Sequence, residues 1–303
     1  MISILITGSE GFLGRSVVNK LRSMNFLIHT TDLQGSPMYI GDLSNTKFVE
    51  SLPTVDVVIN CAAVQYVTQK KPYLYWSNWF YKNNVKSISN LVSKYKKCEH
   101  FIHIATSMMY EQNFSPIYYE GSNLKGSGPY SLSKVIAQNI LDSSDIPSAT
   151  IVPCIIGGKG REGLFIKLVN TIMNKKIMLI PGSGVFYSNM VHVDDVADLI
   201  ILALTNRYRG RLNAAASIPL SLLQWIEIVE NTLNKEVSKI FIPHSIIKFL
   251  GAITFGRILA REQIIMLGQN HILDCTNSFS LGWKPKFNNQ ELLVDLIGGL
   301  IDE

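Results

Sequence analysis

Ile2-Ser3-Ile4-Leu5-Ile6-Thr7-Gly8-Ser9-Glu10-Gly11-Phe12-Leu13-Gly14 joins an apolar run to three glycines set three residues apart. Ile4-Leu5-Ile6 shows no polar alternation, as expected of a strand buried on both faces of a parallel sheet. A helical pattern through Val17, Val18 and Leu21 follows. Strand, glycine turn and helix, in that order, form the context in which a dinucleotide is bound. Glycines let the backbone turn tightly and approach a pyrophosphate, whose charge then lies at a helix N-terminus. The candidate loop comprises Gly8, Gly11, Phe12, Leu13 and Gly14, spaced Gly-x-x-Gly-x-x-Gly rather than the commoner Gly-x-Gly-x-x-Gly. The alternative is a glycine-rich loop with no ligand.

Downstream, Phe26-Leu27-Ile28-His29-Thr30-Thr31-Asp32 reads as a second strand ending in a carboxylate. Asp32 follows Gly8 by 24 residues, near the spacing of about 20 at which an acid binds the adenosine ribose hydroxyls. A carboxylate there repels a 2′-phosphate, which favours NAD over NADP; an ordinary turn aspartate is the alternative. Asp42 and Leu43 are placed at the border of the adenine. The strand Val55–Ala63 ends in Cys61-Ala62-Ala63, small residues that leave room for a cofactor or for close helix packing.

Tyr130-Ser131-Leu132-Ser133-Lys134 sets a phenol and an ammonium four residues apart at the start of a helical pattern. Residues at i and i+4 share a helical face, so both heads reach one small volume. A free tyrosine titrates near 10, and a neighbouring cation favours the phenolate. The pair is therefore a candidate general acid/base, against the blander reading of a surface tyrosine beside a lysine.

Gly8-x-x-Gly11-x-x-Gly14, Asp32, Asp42-Leu43, Cys61-Ala62-Ala63, Thr106 and Tyr130-x-x-x-Lys134, in this order, resemble the extended short-chain dehydrogenase/reductase family, in its nucleotide-sugar epimerase, dehydratase and reductase branch. Asn84-Val85-Lys86 resembles the family's helix asparagine, His192-Val193-Asp194-Asp195-Val196-Ala197 its late helix opening, and Leu281-Gly282-Trp283-Lys284-Pro285 its C-terminal ending. The resemblance implies Thr106, Tyr130 and Lys134 as catalytic residues, with Ser107 the second choice for the hydroxyl. Tyr130 would take a proton from a substrate hydroxyl as hydride passes to the nicotinamide, and Lys134 would hold the nicotinamide ribose. Asn84 and Cys154 join the implied cofactor contacts. Related 4,6-dehydratases carry Asp and Glu after the threonine; here stand Ser107 and Met108, and methionine has no proton to donate.

The chain also departs from the family pattern. Val152-Pro153-Cys154-Ile155-Ile156-Gly157-Gly158 stands where many relatives read Arg-Pro-x-x-x-Tyr-Gly, and Ser188-Asn189 stands where many carry a positive charge. Substrate pyrophosphate binding is left to Arg161, Lys159 or Arg207, each of which reads equally well as a solvated surface charge.

The implied fold is α/β: a Rossmann-type doubly wound parallel sheet with a smaller C-terminal substrate lobe. Residues 1–155 form the dinucleotide-binding domain, 191–215 return to it, and 156–303 mainly build the substrate lobe. A hydrophobic content of 47% suits a globular core, and the net charge of +5 is scattered. A small cluster at Lys94, Lys96 and Lys97 reads as a solvated helix end, not a nucleic-acid patch. The four cysteines are widely spaced and the six histidines show no ligand-like spacing, which argues against disulfides and metal; His192 reads as structural. Ile240–Leu259 is strongly apolar, but Lys248 and Arg257 interrupt it, leaving it short of the roughly 20 residues of a spanning helix. A substrate-lobe core is expected there, with peripheral membrane contact as the alternative. Trp76, Trp79, Phe80 and Tyr81 read as packing or as pocket lining. The expected protein is cytoplasmic and compatible with a homodimer.

The leading functional expectation is an NAD-dependent epimerase of a UDP-linked sugar. The alternatives are a reductase of a 4-keto nucleotide sugar or a hydrophobic ketone, and a non-catalytic dinucleotide sensor.

Overall fold

A computed structural model of the chain describes residues 1–66, 76–112, 117–161, 163–247 and 261–301. Seven strands form its central sheet: β1 (Ser3–Thr7), β2 (Leu27–Asp32), β3 (Tyr39–Ile40), β4 (Val57–Asn60), β5 (His100–Ile104), β6 (Ser148–Pro153) and β7 (Gly210–Ala214). The helices are α1 (Phe12–Arg22), α2 (Thr46–Ser51), α3 (Trp76–Phe80), α4 (Ser87–Lys94), α5 (Pro129–Asp142), α6 (Leu164–Asn174), α7 (Val193–Thr205), α8 (Leu222–Leu233), α9 (Arg261–Leu267), α10 (Thr276–Ser280) and α11 (Asn289–Ile301).

The apolar run of β1 explains how the layers assemble. Ile4 and Ile6 face one side of the sheet and pack with Val17 and Leu21 of α1 and Val196 and Leu199 of α7. Leu5 faces the other side and packs with Ile88 and Leu91 of α4 and Ala137 and Leu141 of α5. All three are fully buried, each worth about 1.5–3 kcal/mol of apolar transfer. Strands β4 and β5 repeat the division, with Val57, Ile59 and Ile102 on the first side and Val58 and Phe101 on the second.

Every pairing in the sheet is parallel and the order is β7-β6-β5-β4-β1-β2-β3. The chain thus winds one way from β1 to β3 and the other way from β4 to β7. In such sheets ligands bind outside the carboxyl ends of the strands, where the order reverses. Gly8 follows β1 at that edge, Cys61 follows β4, Thr106 lies two residues past β5, and Cys154 follows β6.

A separate apolar cluster joins Val169 of α6, Trp225, Ile226 and Val229 of α8, and Leu292 and Leu293 of α11. Beside it, Ile177–Pro181 pairs in parallel with Ser238–Ile242. Ser221 and Gln224 form a capping box that starts α8.

Two stretches singled out in the sequence meet here. The Asp195 carboxylate in the first turn of α7 accepts from the Lys286 and Phe287 amides at 2.8 and 3.2 Å, and the Trp283 indole donates to Asp195 O at 2.9 Å. His192 caps α7, accepting from the Asp194 amide, stacks on Phe287 and faces Asp295 at 3.2 Å, a structural placement. Of the apolar 240–259 stretch, Lys248 to Leu259 lie outside the described residues. Among the described residues no helix is long and apolar enough to cross a membrane.

Candidate active site

A cavity of about 750 Å³ opens along the carboxyl edge of the sheet and reaches the cluster of α6, α8 and α11. Gly8, Gly11, Phe12, Leu13, Gly14, Cys61, Ala63, Thr106, Tyr130, Lys134 and Cys154, all predicted from the sequence, line it. Asp32, Asp42, Leu43, Ala62 and Asn84 stand outside that lining.

The glycine turn is built for close approach. Gly8 has φ +66°, and a Cβ there would lie 2.7 Å from the Ala62 backbone; one on Gly14 would lie 2.0 Å from Gly8 O. The N-cap of α1 is Gly11, which has no side chain to occupy the first-turn amides. Gly11, Phe12, Leu13 and Gly14 line the cavity, and uncapped first-turn amides are donors for an anion. Asp32 braces this turn from β2: its carboxylate accepts from the Glu10 amide at 2.9 Å and the Leu33 amide at 2.6 Å.

Asp42 pairs with Lys82 at 2.9 Å. Burial pushes its carboxyl up, but hydrogen bonds from Lys82 and Ser44 outweigh that and hold it below the usual range. The Leu43 side chain is buried in the core beside α4. Asn84 sits in a π-helical turn, Tyr81–Lys86, between α3 and α4. Its amide accepts from Val64 N at 2.9 Å and donates to Val64 O at 3.2 Å and Ser133 Oγ at 3.0 Å, fastening the segment after β4 to α5.

Tyr130 and Lys134 are both buried on α5. Burial pushes the Tyr130 phenol up to about 12, against a hydrogen bond with Thr106 that favours the phenolate; the Glu262 charge adds to the rise and Arg161 opposes it. Burial likewise pushes the Lys134 ammonium down to about 8. Lys134 Nζ donates to Ile104 O at 2.7 Å. The Arg161 charge favours the phenolate, and the Lys134 head turns toward the sheet. Behind Tyr130 the rings of Phe80 and Tyr66 lie 5.5 and 5.7 Å away, and Trp76 packs on Tyr66, so the aromatic face of α3 is packing.

Thr106 caps a short 3₁₀ turn, Ser107–Met109, through the Met108 amide. Ser107 also lines the cavity, but its hydroxyl pairs with His271 Nε2 at 2.8 Å. Burial pushes that imidazole down to about 4. Of the three cations weighed for pyrophosphate, Arg161 lines the cavity, with its guanidinium 5.3 Å over the Phe12 ring and 2.8 Å from Gln65 Oε1. The Lys159 amide is bonded to Asp295, and Arg207 pairs with Glu99. Lys167 and Lys175 of the α6 region add charge to the wall, as their spacing with Thr171 on one helical face allowed.

The sheet, the turn and the tyrosine–lysine helix form a Rossmann-type fold with a candidate dinucleotide site, as in the extended short-chain dehydrogenase/reductases. The chain belongs to the NAD dependent epimerase/dehydratase family, whose pattern matches residues 4–216. It is 25% identical over 324 residues to the trifunctional UDP-glucose 4,6-dehydratase/UDP-4-keto-6-deoxy-D-glucose 3,5-epimerase/UDP-4-keto-L-rhamnose-reductase of Arabidopsis thaliana, covering 95% of this chain and 46% of that protein. The chain therefore spans about half the length of that relative. It is 20% identical to the low-salt glycan biosynthesis protein Agl12 of Haloferax volcanii, over 96% of both chains. In fold it matches the Thermus thermophilus UDP-glucose 4-epimerase complexed with NAD, with TM-score 0.77, 15% identity and 99% of each chain covered. It also matches MoeE5 in complex with UDP-glucuronic acid and NAD, with TM-score 0.79, 19% identity and the same coverage.

Proposed function

We propose that this chain is an NAD-dependent epimerase of a UDP-linked sugar, working through a keto sugar. The observation that carries the reading is that Thr106 and Tyr130 line one wall of the cavity that also holds the glycine turn and Lys134, with the Thr106 hydroxyl near enough to favour the Tyr130 phenolate.

The residues fit the cofactor. The turn has no space for a Cβ at Gly14, and the start of α1 is uncapped. Lys134 is a buried ammonium with three donors, one of which Ile104 O takes. Gly8, Gly11, Phe12, Leu13 and Gly14 would hold the pyrophosphate, with Cys61, Ala63 and Cys154 beside the dinucleotide and Lys134 on the nicotinamide ribose. Asp32, Asp42, Leu43, Ala62 and Asn84 would shape the site from behind. When bound, NAD supplies a hydride acceptor and donor.

The protein's own part is proton transfer and alignment. Tyr130 Oη, as the phenolate, takes the proton of a sugar hydroxyl and returns it after the sugar has turned, while Thr106 Oγ1 holds the same oxygen. Arg161, Lys167 and Lys175 offer positive charge to the substrate diphosphate. Ser107 and Met108 supply no carboxyl group for elimination, and the Ser107 hydroxyl is engaged with His271. That favours epimerisation over dehydration.

The test is incubation of the purified protein with NAD and a panel of UDP-hexoses, with epimers resolved chromatographically. A C4 epimer supports the reading. Net consumption of reduced cofactor with a keto sugar would replace it by the reductase alternative.

A further inference from the structure

Glu262 lies 131 residues from Ser131 in sequence, yet its carboxylate accepts from the Ser131 amide at 2.8 Å and the Ser131 hydroxyl at 2.6 Å. It is 1% exposed. The first turn of α5 needs such a partner. Its N-cap, Gly128, has no side chain, and Pro129 has no amide hydrogen to offer. The space is reserved for Glu262: a Cβ on Gly128 would sit 2.7 Å from its Cγ and its Oε1. An anion at a helix N-terminus is also favoured by the aligned peptide dipoles.

The same carboxylate faces the Tyr66 hydroxyl, and the Tyr66 ring meets the Tyr130 ring edge-on. Glu262 thus holds the helix turn Tyr130 stands on through Oε1, and its charge acts on the Tyr66 phenol behind that ring. Its own helix, α9, sends Gln263, Met266 and Leu267 into the cavity wall.

We propose that Glu262 is a positioning residue: a cap supplied from α9 that fixes the first turn of α5, and with it the Tyr130 hydroxyl beside Thr106. This rests on the reading of Tyr130 as the proton-transfer group. The groups facing the phenol are the Thr106 hydroxyl from the segment after β5, the Glu262 carboxylate from α9, the Arg161 guanidinium from the segment before α6 and the Tyr66 hydroxyl from the segment after β4. Lys134, on the same helix, points to Ile104 O. Among them Glu262 is the negative charge opposing the phenolate; burial pushes its own carboxyl up, against the Ser131 hydrogen bonds that favour the anion, and replacing it by an amide removes that charge and eases Tyr130 ionisation.

The test compares wild type with Glu262→Gln, which keeps an acceptor for the Ser131 amide but removes the charge, in protein labelled with ¹³C at tyrosine Cζ and saturated with NAD. Tyr130→Phe assigns the Tyr130 resonance. In Glu262→Gln the resonance is expected to titrate at a pH lower by about half a unit or more. Curves that coincide up to pH ~11, including two flat ones, overturn the proposal. This readout needs no turnover, so failure of the sugar assay and failure of the Glu262 assignment are separable. Where epimerisation is active, Glu262→Ala is expected to lower kcat by about tenfold or more, with KM for the UDP-hexose within about twofold; an unchanged kcat overturns the positioning role.

Discussion

Tyr130 and Lys134 feel the same burial with opposite results: the phenol is pushed up to about 12 and the ammonium down to about 8. A phenol held protonated is a ready donor to a keto oxygen; to act as a base it must first lose its proton to solvent, a loss that the neighbouring Thr106 hydroxyl and the Arg161 charge favour. Tyr130→Phe keeps the ring and its contacts with Phe80 and Tyr66. It is expected to lower kcat by about 10²–10⁴, with NAD affinity within a few-fold by calorimetry. Lys134 gives a pH-dependent prediction. Its folded value of about 8 lies below the ordinary 10.5, so between those values the unfolded chain binds more protons and stability rises with pH. The destabilisation by the buried ammonium is fully present below pH 8 and amounts to something on the order of 3 kcal/mol. Lys134→Met should therefore raise the melting temperature of the cofactor-free protein at pH 7 by several degrees while removing turnover, and the gain should shrink at pH 10. A lower melting temperature at pH 7 contradicts this.

At the scale of elements, the junction of β1 and α1 depends on backbone contact that no side chain tolerates. Gly14→Ala puts a methyl group 2.0 Å from Gly8 O. The expected result is at least about tenfold weaker NAD binding, from displacement of the turn that approaches the pyrophosphate, measured by fluorescence titration. This junction was legible in the sequence because its signals are local: an apolar triplet, glycines and a helical period within 21 residues. The tyrosine–lysine pair was legible for the same reason, and Thr106 through its place in the ordered motif set. What was not legible depends on tertiary contact. The local sequence puts Lys134 beside the phenol, but rotation of its side chain carries the ammonium to Ile104 O. The Asp32 carboxylate also accepts from the Glu10 and Leu33 amides, and Leu43 faces the core. Glu262 meets α5 across 131 residues, a distance over which no spacing rule operates.

At the scale of the molecule, α7 and the C-terminal segment are joined through Asp195. Asp195→Ala leaves two amides, those of Lys286 and Phe287, without their acceptor. A loss of about 2–4 kcal/mol in urea unfolding is expected, and a change below about 0.5 kcal/mol, the size of an ordinary surface substitution, would mean the clasp is incidental. We propose that this joint holds the substrate lobe to the dinucleotide-binding domain, with the border near residue 155, so that a sugar held by one is presented to Tyr130 on the other. The epimerase account is tested most directly by ¹H NMR of a UDP-hexose incubated with the protein and NAD in deuterated water. It predicts a C4 epimer that keeps its protium at C4, since the hydrogen leaves and returns without meeting solvent. A 6-deoxy-4-keto sugar, or deuterium at C4 of the epimer, would contradict it.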